Sequence, residues 1–163
     1  MPFLLALDSS TDTMAVALVT PGQTRVFEAA GGAQASARLL PEVKALLADA
    51  GVAMADLDAV AFGQGPGAFT GLRTACAVAQ GLAYGLGKPV LAIDSLMLVA
   101  EDARAQGAGD ELWVAMDARI GEIYAARYRH DGVAWQVLDA PALYAPRRWP
   151  PTGARRQRWR APP

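Results

Sequence analysis

The chain has 163 residues, 53% of them hydrophobic and 19% charged, enough apolar material for the core of one domain and part of a second. Its formal charge of −1 hides an imbalance: residues 1–144 carry all 16 acids against nine Lys and Arg, while residues 145–163 carry six Arg and no acid. A single cysteine excludes an internal disulfide and a cysteine-built metal site, and the absence of a basic leader or a long uninterrupted apolar run points to a soluble, cytoplasmic protein with no membrane segment.

Phe3 to Leu7 is an apolar run of strand length, expected to be buried on both faces. Asp8 to Asp12 is a polar turn. Met14 to Val19 and Thr24 to Ala29 read as two further strands around the Pro21-Gly22 turn. Short polar connections make these three an antiparallel meander, because parallel neighbours need a longer crossover. After Gly31-Gly32, a helix is expected from Ser36 to Ala50, stopped by Gly51. Leu39, Leu40, Val43, Leu46, Leu47 and Ala50 form its apolar stripe, and Pro41 should tilt or kink its start. Met54 to Asp58 is a connector.

Ala59 to Phe62 then opens a strand, a glycine-rich loop and a helix. Gly63, Gly65, Gly67 and Gly71 lack a Cβ, so the backbone can turn sharply or lie against another group. Thr70 is placed to cap the helix, which runs to Gly85. Ala77, Gly81 and Gly85, spaced by four, lie along one face. Gly81 costs about 1 kcal/mol against Ala in a helix interior, which points to a compensating close contact with another helix. Cys76 reads as a small buried hydrophobe in this helix rather than a nucleophile.

Pro89 to Ile93 is expected as another buried strand, Leu96 to Ala105 as a helix, and Leu112 to Met116, Ile123 to Arg129 and Trp135 to Leu138 as strands. The predicted order is β-β-β-α-β-α-β-α-β-β-β, a mixed sheet flanked by helices.

Two readings are open for the loop from Gly65 to Arg73. Free amides at a helix N-terminus beside Arg73 suit a phosphate; a turn that needs glycine for geometry needs no ligand. The Lys-Ser/Thr pair of a Walker A loop is absent. Asp8, with Ser10 and Thr11 beside it, is either a phosphate or Mg²⁺ residue at a strand's C-terminal end or a turn residue satisfying its own backbone. Asp117, Arg119 and Glu122 read either as an acid pair with an orienting base or as a surface ion cluster. His130 is the only histidine, so neither a His-based triad nor a two-His metal site can be built. No set of nucleophile, base and orienting group supports a peptidase.

The segment Gly65-Pro66-Gly67-Ala68-Phe69-Thr70-Gly71-Leu72-Arg73 resembles the GPGSFTGLR signature of the TsaB (YeaZ) family. Asp8-Ser9-Ser10-Thr11 resembles that family's opening D-[ST]-[SA]-T, Leu39-Leu40-Pro41 its first-helix motif, and Asp117-Ala118-Arg119 with Gly121-Glu122-Ile123-Tyr124 its DAR-x-GEVY segment. The resemblance covers Phe3 to about Tyr144. It implies an actin/Hsp70/sugar-kinase-like (ribonuclease H-like) α/β fold of two related halves. It also implies a non-catalytic subunit in threonylcarbamoylation of tRNA adenosine 37. The implied partners are a catalytic TsaD-like subunit, a TsaE-like ATPase and, for the chain alone, a second copy. Contact with tRNA would be indirect, and ATP would be bound by the assembled complex, with no cofactor in this chain. The implied interface is the first two helices, here Leu39, Leu40, Val43, Leu46, Leu47, Arg73, Ala77, Gly81, Tyr84 and Gly85. The rival reading is a nucleotide-binding ATPase or kinase of the same fold, using Asp8, Ser10, Thr11, Gly65, Gly67, Thr70 and Gly71.

Relatives that coordinate metal carry paired histidines on the first helix; Ala35-Ser36-Ala37-Arg38 has none, so no metal site is carried over. Nucleotide-binding members place glycine where Ser10 stands. The expected organisation is a complete half-domain over 1–105, the start of a second over 106–144, and a tail over 145–163. The tail has three readings: a basic arm contacting tRNA phosphates with Trp149 and Trp159 stacked on bases, a disordered extension, or an out-of-frame stretch, to which the abrupt change in composition points.

Overall fold

The structure, a computed structural model, describes residues 2–148. Its elements follow the predicted order: β1 (Leu4–Asp8), β2 (Thr13–Thr20), β3 (Gln23–Ala30), α1 (Ala35–Ala50), β4 (Ala59–Gly65), α2 (Phe69–Leu86), β5 (Val90–Asp94), α3 (Ser95–Ala105), β6 (Glu111–Asp117), β7 (Ile123–His130) and β8 (Trp135–Tyr144). Of the Arg- and Pro-rich tail, the described part ends in a short 3-10 turn at Pro146–Arg148. Trp149, Trp159 and the choice among the tail's three readings lie outside the described residues.

The chain divides into two compact units, Met1–Asp94 and Ser95–Pro163. The first is a five-stranded sheet in the order β3-β2-β1-β4-β5. β3, β2 and β1 form the antiparallel meander, and β1, β4 and β5 run parallel. Alternation decides which side chains face the helices. Leu5 and Leu7 of β1 and Met14, Val16 and Leu18 of β2 are fully buried, whereas Leu4 and Ala6 are only half-buried. The core under α1 and α2 joins Leu5, Leu7, Val16 and Leu18 to Leu39, Val43 and Leu47 of α1, Val60 of β4, and Ala79 and Ala83 of α2. Each large aliphatic side chain buried this way contributes about 1.5–3 kcal/mol.

α1 continues through Pro41, and both α1 and α2 end on a glycine in the left-handed conformation, Gly51 and Gly87. β5 departs from the expectation of a buried strand. It is the sheet's outer strand, with Val90, Leu91 and Ala92 exposed. Arg38 pairs with Glu42 one turn along α1 at 3.0 Å.

The second unit is the antiparallel sheet β6-β7-β8 with α3 packed on β6 and β7. Its core holds Leu96 and Ala100 of α3, Leu112 and Val114 of β6, and Ala126 and Tyr128 of β7. The boundary therefore falls before α3, not after Ala105, because the apolar face of α3 is used by the second sheet. β8 runs to Tyr144 instead of ending at Leu138. As an outer strand it is paired on one side only, and it accommodates Asp139 and Pro141 through irregular register against β7. Glu111 binds both Arg127 and Arg129 across β6 and β7.

Candidate functional site

Two places gather the residues singled out in the sequence, and both lie in the first unit. The first is the junction of the β1–β2 turn with the start of α2. Asp8 Oδ1 accepts the Ser10 backbone N–H and the Ser10 hydroxyl, each at 2.7 Å. The Ser9 hydroxyl, buried, donates to the Gly71 carbonyl at 2.8 Å. The Ala68 N–H donates to the Ser10 carbonyl at 2.6 Å. The two loops are in such close contact that side chains are excluded. A Cβ on Gly67 would stand 2.6 Å from Ser10 Cβ, and one on Gly71 would stand 1.7 Å from the Ser9 carbonyl oxygen. The glycines here serve backbone approach.

This geometry bears on the two readings of Asp8. Its carboxylate is engaged by its own turn, in the manner of an Asx turn. Ser10 occupies the space beside Gly67, and its carbonyl takes the amide that opens α2. A phosphate approaching this helix end would have to displace the chain's own turn. Thr11 likewise bonds locally, its Oγ1 accepting the Thr13 N–H and donating to the Thr13 carbonyl. Thr70 does not cap the helix. The N-cap position is Ala68, with no side-chain cap, and Thr70 sits inside the first turn, where its carbonyl accepts the Thr74 hydroxyl at 3.0 Å. Gly65, in the left-handed region at φ 104° and followed by a cis bond to Pro66, ends β4. Among the described residues no group of three His, Cys, Asp or Glu side chains is arranged to hold a metal ion.

The second place is the outer face of α2. The helix buries Gly71, Ala75, Ala79 and Ala83, one residue every four, against the sheet. The opposite face carries Phe69, Arg73, Ala77, Gly81, Tyr84 and Gly85, all exposed. Phe69 is 66% exposed and Tyr84 93%, although both are large and apolar enough to belong in a core. The Arg73 guanidinium lies over the Phe69 ring at 3.8 Å. With Ser36 of α1, Phe69, Arg73 and Ala77 line an open, mostly apolar groove. Nothing stands within 4 Å of a Cβ built on Gly81 or Gly85. The small-residue stripe is thus open to the outside and not spent in the chain's own core.

The α1 half of the expected interface is corrected. Leu39, Val43 and Leu47 are buried in the first unit's core and have no surface to offer a partner. The apolar period marks the face a helix turns inward, so the stripe located the core. Leu40 and Leu46 are half-buried, and Ser36, Ala37, Lys44, Ala45 and Ala48 form the exposed face of α1. Phe69 shares the exposed face of α2 without being among the residues the resemblance implies. The signal for it is its spacing, one helical turn before Arg73 and two before Ala77. Cys76 is half-exposed rather than buried. In the second unit, Asp117 Oδ1 accepts the Arg119 backbone N–H at 2.8 Å, and the Glu122 carbonyl accepts the Ala118 N–H at 3.0 Å. These bonds shape a turn in which Arg119 takes φ 60°. His130 Nδ1 accepts the Gly132 N–H, and its ring packs edge-on against Trp135.

Residues 19–158 match a family model described as "TsaD: tRNA N6-adenosine threonylcarbamoyltransferase". The tRNA threonylcarbamoyladenosine biosynthesis protein TsaB of Escherichia coli K12 is 34% identical over 145 residues, covering 88% of this chain and 62% of that protein. The Haemophilus influenzae protein of the same name is 39% identical over 121 residues, covering 74% of this chain and 51% of that protein. The chain thus spans between about half and two thirds of the length of these relatives. YeaZ from Pseudomonas aeruginosa superposes with a TM-score of 0.83 at 40% identity, covering 90% of this chain and 68% of that structure. Likeness of sequence over most of the chain, likeness of fold, and the Gly65–Arg73 segment set against the β1–β2 turn agree: the chain belongs to the TsaB (YeaZ) family, within the wider group that the TsaD model describes.

Proposed function

We propose that this chain is a non-catalytic scaffold in the biosynthesis of threonylcarbamoyladenosine in tRNA, and that it pairs through the outer face of α2 with a TsaD-like catalytic subunit. The observation that carries this reading is the exposed track from Phe69 to Gly85. Its middle is stripped to Ala77 and Gly81, and its ends carry Phe69 and Tyr84. A surface low at the centre and aromatic at both ends suits a helix laid along it. Small residues permit close backbone approach, and aromatic anchors supply most of the buried apolar area. A TsaE-like ATPase joins the pair, ATP is bound by the assembly, and tRNA is contacted through the partner. In the absence of the partner, two copies share the same face.

The rival reading, a nucleotide-dependent ATPase or kinase, is weakened by the filled space between Ser10 and Gly67 and by the local use of Asp8. The test is Gly81→Arg, which introduces a long charged side chain where nothing lies within 4 Å, so the fold is expected to persist. Co-purification with the TsaD-like subunit of the same organism should be lost while the circular dichroism spectrum is kept. Undiminished co-purification would overturn the interface. Steady ATP turnover by the isolated chain, abolished by Asp8→Asn, would favour the rival.

A further inference from the structure

We draw no further inference here: the strongest candidate outside the site already described, the outer strand β8 of the three-stranded sheet with Val137 and Leu143 exposed, is an unpartnered apolar face, and nothing in the structure shows what covers it.

Discussion

Exchanging glycine for alanine at two positions of α2 should move stability in opposite directions. At Gly71 the new Cβ would fall 1.7 Å from the Ser9 carbonyl oxygen and 2.7 Å from its carbon. Both are backbone atoms, so no rotamer change relieves the clash, and the β1–β2 turn must retreat by more than about 1 Å. Overpacking of this kind costs about 1–3 kcal/mol. Retreat also breaks the bond from the buried Ser9 hydroxyl to the Gly71 carbonyl, and a buried donor left unsatisfied costs about 1–3 kcal/mol more. Alanine's better helix propensity returns roughly 1 kcal/mol, so a net loss of about 1–5 kcal/mol is expected, large against a typical domain stability of about 5–15 kcal/mol. At Gly81, further along the same helix, a Cβ meets nothing within 4 Å, and alanine should gain about 0.5–1 kcal/mol. Urea unfolding followed by far-ultraviolet circular dichroism measures both. An unchanged midpoint for Gly71→Ala, or shifts of the same sign in the two variants, would refute the close-approach argument.

Leu39→Ala should cost about 2–5 kcal/mol by opening a cavity in the first unit's core, whereas Tyr84→Ala, at a highly exposed site, should stay within about 0.5 kcal/mol of the parent; equal losses in thermal or urea unfolding would contradict the division of the two helices into core and surface faces. Phe69→Ala should leave the unfolding midpoint almost unchanged, since its ring is exposed beneath Arg73, yet weaken capture of the TsaD-like subunit in a pull-down; full capture would remove Phe69 from the interface. The hydrogen bonds from Arg104 and then from the Trp135 indole hold the Glu101 carboxylate down from its ordinary 4.5 to about 2. Because the folded value lies below the unfolded one, its contribution is whole above pH 4.5 and drains away as pH falls toward about 2. Glu101→Gln should therefore flatten the stability curve within that window, read from Trp fluorescence during unfolding at a series of pH values; an unaltered slope would show that Glu101 does not stabilise the second unit.

The order of elements was legible because each carries its own period and its own stop. Leu39, Val43 and Leu47 repeat every four residues, and Gly51 and Gly87 end their helices. What a helix packs against is a different matter. The resemblance implies a partner for the α1 stripe, whereas periodicity reports only that one face is turned away from water. Whether that face meets the chain's own sheet or another subunit is decided by tertiary packing. The same limit applies to α3, whose sequence fits either side of the domain boundary until β6 and β7 are seen beneath it. Thr70 has the chemistry of a cap, but the N-cap position falls two residues earlier, at Ala68, whose N–H is bonded to the Ser10 carbonyl, a contact far off in sequence. The exposed α2 face was half legible. Ala77, Gly81 and Gly85 stand out by their spacing, whereas the sequence assigns Phe69 no face of the helix until the register of α2 is fixed.

The pairing of β1 with both β2 and β4 has a consequence for how the chain acquires its shape. The meander joins neighbours such as Asp8 and Ala15, which meet soon after synthesis. The other edge of β1 must wait for Ala59 and Val60, with Phe3 and Asp58 bonded across a sequence separation of 55. Closing so long a loop is entropically slow. Until it closes, the nascent polypeptide presents a bare hydrogen-bonding edge on an apolar strand, the interval in which mispairing with other chains is the greatest hazard.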